Sequence, residues 1–131
     1  AGLTANLSDD ERKCWPGIDD GFLSIAIASK KLFIAGQEIF LAADADGWKE
    51  KCAVYFGSIG LSIPNKVEMI DSRGAVRLEF NELRNPALSI GSLAGAWERC
   101  EGRPVKVSYI VSNQKHVITL QSKYEMSEIS S

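Results

Sequence analysis

Apolar and polar residues alternate in only a few stretches of this chain. Val105, Val107, Tyr109 and Val111 occupy every second position up to a polar Ser-Asn-Gln-Lys break at 112–115, after which His-Val-Ile-Thr-Leu at 116–120 resumes the apolar run. A period of two gives a strand one apolar face, and two such runs about a short polar turn predict a hairpin. Val67 with Met69, and Val76 with Leu78 and Phe80, repeat the arrangement about Asp71-Ser72-Arg73-Gly74, a type I turn signal. Residues 22–28 and 32–42 are rich in β-forming Phe and Ile and flank Ser29-Lys30-Lys31. They predict a further hairpin, with Gly36 at a bulge.

That last run breaks the alternation. Leu32, Ile34 and Phe40 would lie on one face and Phe33, Ile39 and Leu41 on the other, so both faces are apolar. Such a strand is expected either between core layers, the favoured reading, or partly in an interface. Phe33, Ile39 and Leu41, with Trp15, are the candidate interface residues.

Other stretches change to the helical period. Ser8 and Glu11 form a Ser-x-x-Glu capping box that starts a short helix, which Pro16-Gly17 ends. Trp48, Cys52, Tyr55, Phe56 and Ile59 recur at three and four residues, as do Leu93, Trp97 and Cys100, with Ser92 as a cap and Gly102 as a stop. The order is helix then hairpin, three times, and residues 11–34 echo 97–120 part by part. The cysteines that mark the three helices, Cys14, Cys52 and Cys100, are unequally spaced, which favours a common packing pattern over internal duplication. The expected fold is α+β: a mostly antiparallel twisted sheet or a partly open small barrel, built from three β-hairpins with two to three short helices.

With 131 residues, 45% of them hydrophobic and 24% charged, the chain reads as one globular domain over 1–131. Within it, 1–20 is a helical and loop segment and 124–131 a tail expected to be flexible. No apolar run reaches membrane-spanning length. The net charge of −2 argues against a nucleic-acid partner, although acidic residues gather near the N-terminus (Asp9, Asp10, Glu11, Asp19, Asp20) and basic ones in the last third (Arg99, Arg103, Lys106, Lys115, Lys123). The small residues of Ala1-Gly2-Leu3-Thr4-Ala5 are of the kind that follow a signal cleavage site, so a secreted or periplasmic location is expected, with the cytoplasm as the alternative. Three cysteines allow at most one internal disulfide. Cys52 shares an apolar face with Tyr55 and Phe56, which leaves Cys14 and Cys100 as the expected pair in an oxidising compartment.

Motifs for chemistry are sparse. The single histidine, His116, sits at a hairpin turn, and neither Cys14 nor Cys100 carries a cysteine-hydrolase signature. Asp44-Ala45-Asp46-Gly47 opens like a calcium loop, but Trp48 and Tyr55 stand where oxygen ligands belong, so it reads as an acidic helix start. Gly91-Ser-Leu-Ala-Gly95 lacks the lysine of a phosphate-binding loop. No catalytic, cofactor or metal residues are assigned and no cofactor is expected. The leading expectation is a non-catalytic binding domain for another protein, of inhibitor, immunity or adaptor type, or a homodimer. The alternatives are an OB-like nucleic-acid or oligosaccharide binder using Arg103, Lys106, Tyr109 and Lys115, and a small Cys/His-dependent hydrolase.

Overall fold

A computed structural model describes residues 8–36 and 41–123. The first helix, α1 (Asp9–Cys14), begins as its capping box dictates: the Ser8 hydroxyl accepts the Glu11 N–H at 3.1 Å. The second, α2 (Asp20–Ala35), replaces the first expected hairpin. Asp19 caps it by accepting the Phe22 N–H at 2.9 Å. The Ser29-Lys30-Lys31 break is no turn, because Ser29 donates its hydroxyl to the Ile25 carbonyl at 2.9 Å and Lys30 reaches Glu98 on another helix. Leu23, Ala26 and Ile27 are buried on one side, so tertiary packing overrides the β preference of Ile and Phe. The strand expected through 32–42 is therefore absent over 32–35. Ile39 and Phe40 lie outside the described residues, and Leu41 follows in no regular element.

The remaining elements are α3 (Ala45–Tyr55), a 3-10 turn (Gly57–Ile59), β1 (Lys66–Met69), β2 (Val76–Phe80), α4 (Pro86–Glu101), β3 (Val105–Ser112) and β4 (Lys115–Ser122). Asp44 caps α3 through Gly47 N–H at 2.7 Å. Helix α4 begins ahead of the expected Ser92 cap, with Pro86 in its first turn and Gly102 (φ 72°) closing it in the left-handed region. Asn113 (φ 51°) and Gln114 (φ 64°) give the β3–β4 turn the two positive φ values of a type I′ connection.

The fold is α+β with an open antiparallel sheet in the order β1-β2-β4-β3. It holds two hairpins, not three, and four α-helices among the described residues. No described helix is long and apolar enough to cross a membrane.

One sheet face, with Val76, Leu78, Phe80, Val105, Val107, Ile118 and Leu120, is buried under the helices. The other carries Lys66, Arg77, Glu79, Lys106 and Thr119, the wet face of a one-sided sheet. Helix α4 is buried on every side from Ser89 to Trp97, a sign that it is enclosed between α2 and the sheet. Its glycines make this possible: a Cβ on Gly91 would lie 2.8 Å from the Ala26 carbonyl carbon, and one on Gly95 would lie 3.0 Å from the Lys30 oxygen. Arg99 then donates to the Ile34 carbonyl at 2.6 Å. These contacts advance together along both helices, so α2 and α4 run parallel and their N-termini share one end of the domain.

Trp15, Trp48 and Trp97 are at most 2% exposed. Trp97 also donates its indole N–H to the Gly74 carbonyl at 2.9 Å. Trp15, expected at an interface, instead belongs to the core of this chain, where its ring has no surface to offer a partner.

Candidate functional site

Exposed apolar side chains are spread over the described surface, and at the shared end of α2 and α4 two of them, Ile25 and Leu88, line one cleft. Pro86 fixes the first turn of α4, and Asn85 before it adopts φ 44° and ψ 66°, turning the chain out of the β2–α4 loop. Asp19 caps α2 alongside. Between the two first turns runs an open groove of about 650 Å3, lined by Phe22, Ile25, Pro86, Ala87 and Leu88, with Asp19 and Asn85 at its rim. Ile25 is 48% exposed and Leu88 37%. Each follows from helical spacing, since Ile25 lies one turn beyond Phe22 and Leu88 leads the buried run of α4.

The floor of the groove is tied to the sheet through a ring stack. Phe22 stacks on Tyr109 at 6.0 Å between centroids, and Tyr109 stacks on His116 at 5.9 Å. The Tyr109 hydroxyl and His116 Nδ1 share a 2.7 Å hydrogen bond. Burial pushes the Tyr109 phenol above its ordinary pKa, so it stays neutral well past neutrality. This pairing occupies one nitrogen of the single histidine with a phenol rather than a thiol.

Two other recesses are more polar, and their charges are largely matched. A recess of about 220 Å3 beneath α1 holds Cys14 among Lys30, Glu98, Lys123 and Asp10. There Lys30 pairs with Glu98 at 3.2 Å and Lys123 pairs with Asp10, which holds the Asp10 carboxyl below its usual range. Burial raises the Cys14 thiol, the opposite of nucleophile activation. Lys123 is seven residues from His116 along and just past β4, roughly 20 Å for extended chain, so Cys14 and His116 are not brought together. Around Gly74, a recess of about 550 Å3 includes Asp71, Glu101 and Arg103. Arg103 bonds the Arg73 carbonyl, pairs with Glu101 at 3.5 Å and lies over the Trp97 ring. Among the described residues, no group of three or more His, Cys, Asp or Glu side chains is placed to hold a metal ion.

The other sequence candidates are scattered. Phe33 is half-buried, its ring 6.2 Å from that of Phe56, and Leu41 is 64% exposed. Ile39 lies outside the described residues. The expected Cys14–Cys100 link is not formed: all three cysteines are free thiols, and Cys100 Sγ lies 3.2 Å from the carbonyl oxygen of Ala42 and 3.4 Å from its nitrogen. The set Arg103, Lys106, Tyr109 and Lys115 does not converge on one surface. Tyr109 points beneath the helices, Lys106 lies on the opposite sheet face, and Arg103 packs on Trp97.

Phe22, Ile25 and Leu88, which make the groove, were not among the sequence candidates. An Asp19 cap followed by Phe22 and Ile25 at helical spacing was the signal available for the first two. Leu88 had only the Asn-Pro helix start to mark it. No known protein family matches the chain, and no curated protein matches it.

Proposed function

We propose that this chain is a non-catalytic protein-recognition domain whose docking site is the α2–α4 groove. The observation that carries this reading is the placement of Ile25 and Leu88 in solvent on either side of one apolar cleft between two helix starts. Large side chains from a partner would fill the groove, and Asp19 and Asn85 would supply the polar rim that orients them. The helices are held by the Gly91 and Gly95 approach and by the Lys30–Glu98 pair, so the groove is preformed and little ordering is required on binding.

Export is proposed alongside, and fractionation of the native cells tests it. The docking site is tested by placing a photoreactive amino acid at Ile25 and, as a control, at Val54, which is 59% exposed on α3. Irradiation in native cells is expected to give a discrete adduct from position 25 and none from position 54. Equal labelling from both positions, or none from either, would contradict the assignment.

A further inference from the structure

The outward line of α2 is apolar along its whole length. Gly21, Ile25, Ala28, Leu32 and Ala35 recur at alternating spacings of four and three residues, and all are exposed, Ile25 at 48% and Leu32 at 72%. That spacing is the seam of a coiled coil. The opposite line, with Leu23, Ala26 and Ile27, is already buried within this chain, so α2 is apolar inside and outside. A surface helix with one buried face normally turns charge to water, as α3 does with Asp46, Lys49 and Glu50. The outer face of α2 therefore has the composition of a second contact.

The face is its own complement in one arrangement. Two copies of α2 set antiparallel about the point between Ala26 and Ile27 place Leu32 of each on Gly21 of the other, and Ile25 of each on Ala28 of the other. Every layer then joins a large side chain to a small one, which lets the two helices approach closely. Lys31, exposed beside the seam, excludes the alternatives. A parallel pairing sets Lys31 beside its own counterpart, and so does an antiparallel one with Ala28 on Leu32, which centres on Lys30. In the arrangement above Lys31 lies opposite Phe22 of the other copy, so the two lysines are about nine residues of helical rise apart, roughly 13 Å and beyond the screening length.

We propose that a second copy of this chain covers the outer face of α2 in this register, an isologous contact to which each copy brings the same residues. The contact is one helix long, roughly 21 Å from Gly21 to Ala35. Its total area therefore stays below the roughly 1,200 Å2 at which stable interfaces begin, and the dimer is weak and reversible. The pairing does not rest on the groove reading. Ile25 belongs to both surfaces, however, so a groove partner and the second copy compete for it.

The test is sedimentation velocity of the whole chain from the micromolar into the millimolar range, with thermal melting of each variant. Wild type is expected to rise towards twice the chain mass. Leu32→Lys alters a side chain already in solvent and is expected to stay at the chain mass with near-native melting. Val54→Lys, a comparable change on the exposed side of α3, keeps the rise. Ala28→Leu separates this pairing from general apolar adhesion: it adds apolar surface yet sets Leu against Ile25 of the other copy, so association is expected to weaken by about tenfold or more. Exchanging the two sizes, Ile25→Ala with Ala28→Leu in one chain, is expected to restore it. A photoreactive residue at position 25 of the Leu32→Lys monomer reports on the groove alone, which keeps the two readings apart. A wild type that stays at the chain mass throughout, as it would if another protein covers the face, overturns the proposal. So does a folded Leu32→Lys that still pairs, or an Ala28→Leu chain that associates more strongly than wild type.

Discussion

Gly91 lies against Ala26 with no room for a side chain: an added Cβ would stand 2.8 Å from the Ala26 carbonyl carbon and the same distance from the Ser29 Cβ. Alanine gains about 1 kcal/mol over glycine in a helix interior. Here that gain loses to overpacking against backbone that cannot rotate aside, which costs about 1–3 kcal/mol or more. Gly91→Ala is therefore expected to be destabilised on balance in chemical denaturation. Gly95→Ala, whose nearest contacts would be 3.0 Å away, is expected to lose less.

The same contact explains why residues 22–35 form a helix where the sequence predicts a hairpin. Residues 22–35 hold enough Ile and Phe for two strands, and nothing local shows that Ala26 and Ser29 meet the glycines of α4, far along the chain. The later elements were legible because each carries its own signal: the Asp44 cap of α3, the Asp71–Gly74 turn, the Gly102 stop and the alternation of β3. The groove was not legible, since it exists only where two helix starts distant in sequence lie side by side. Setting Cys52 aside left Cys14 and Cys100 as a pair, and only the fold shows Cys14 in the recess beneath α1 and Cys100 against Ala42.

Glu98 serves two partners, Lys30 at 3.2 Å and the Val105 N–H at 2.9 Å, with the side chains of the ion pair 18–19% exposed. Glu98→Ala leaves an ammonium and a backbone donor unpaired in a partly buried site. A loss of about 2 kcal/mol is expected, less than for a fully buried pair because solvent still reaches both groups. Urea denaturation measures it. Replacing Lys30 with methionine as well should recover part of the loss.

Cys52 is completely buried on α3, and burial pushes its thiol up to about 12 from an ordinary value near 9. A raised folded-state pKa means that the neutral thiol is favoured in the fold. Its contribution is fully present below pH 9 and declines as the pH rises from 9 towards 12, by at most about 1.4 kcal/mol per pH unit. Denaturation midpoints for wild type are expected to fall more steeply across this interval than those of Cys52→Ala. Equal slopes would show that Cys52 is not the group responsible.

Tyr109→Phe keeps the stack between Phe22 and His116 but removes the 2.7 Å bond to Nδ1. A destabilisation of about 1 kcal/mol is expected, with partner binding retained because the groove surface is unchanged. His116→Ala is expected to leave binding largely intact as well. Binding lost in either variant while the fold persists would move the site from the groove to the histidine.

The most direct measurement is calorimetric titration of the partner identified at position 25, purified, into wild type, Ile25→Lys and Leu88→Lys. A lysine in either position puts a charge into the apolar cleft without touching the core of the chain. Both variants are expected to melt close to wild type and to bind at least tenfold more weakly, a loss of about 1.4 kcal/mol or more. Wild-type affinity in both folded variants would contradict the groove as the recognition site.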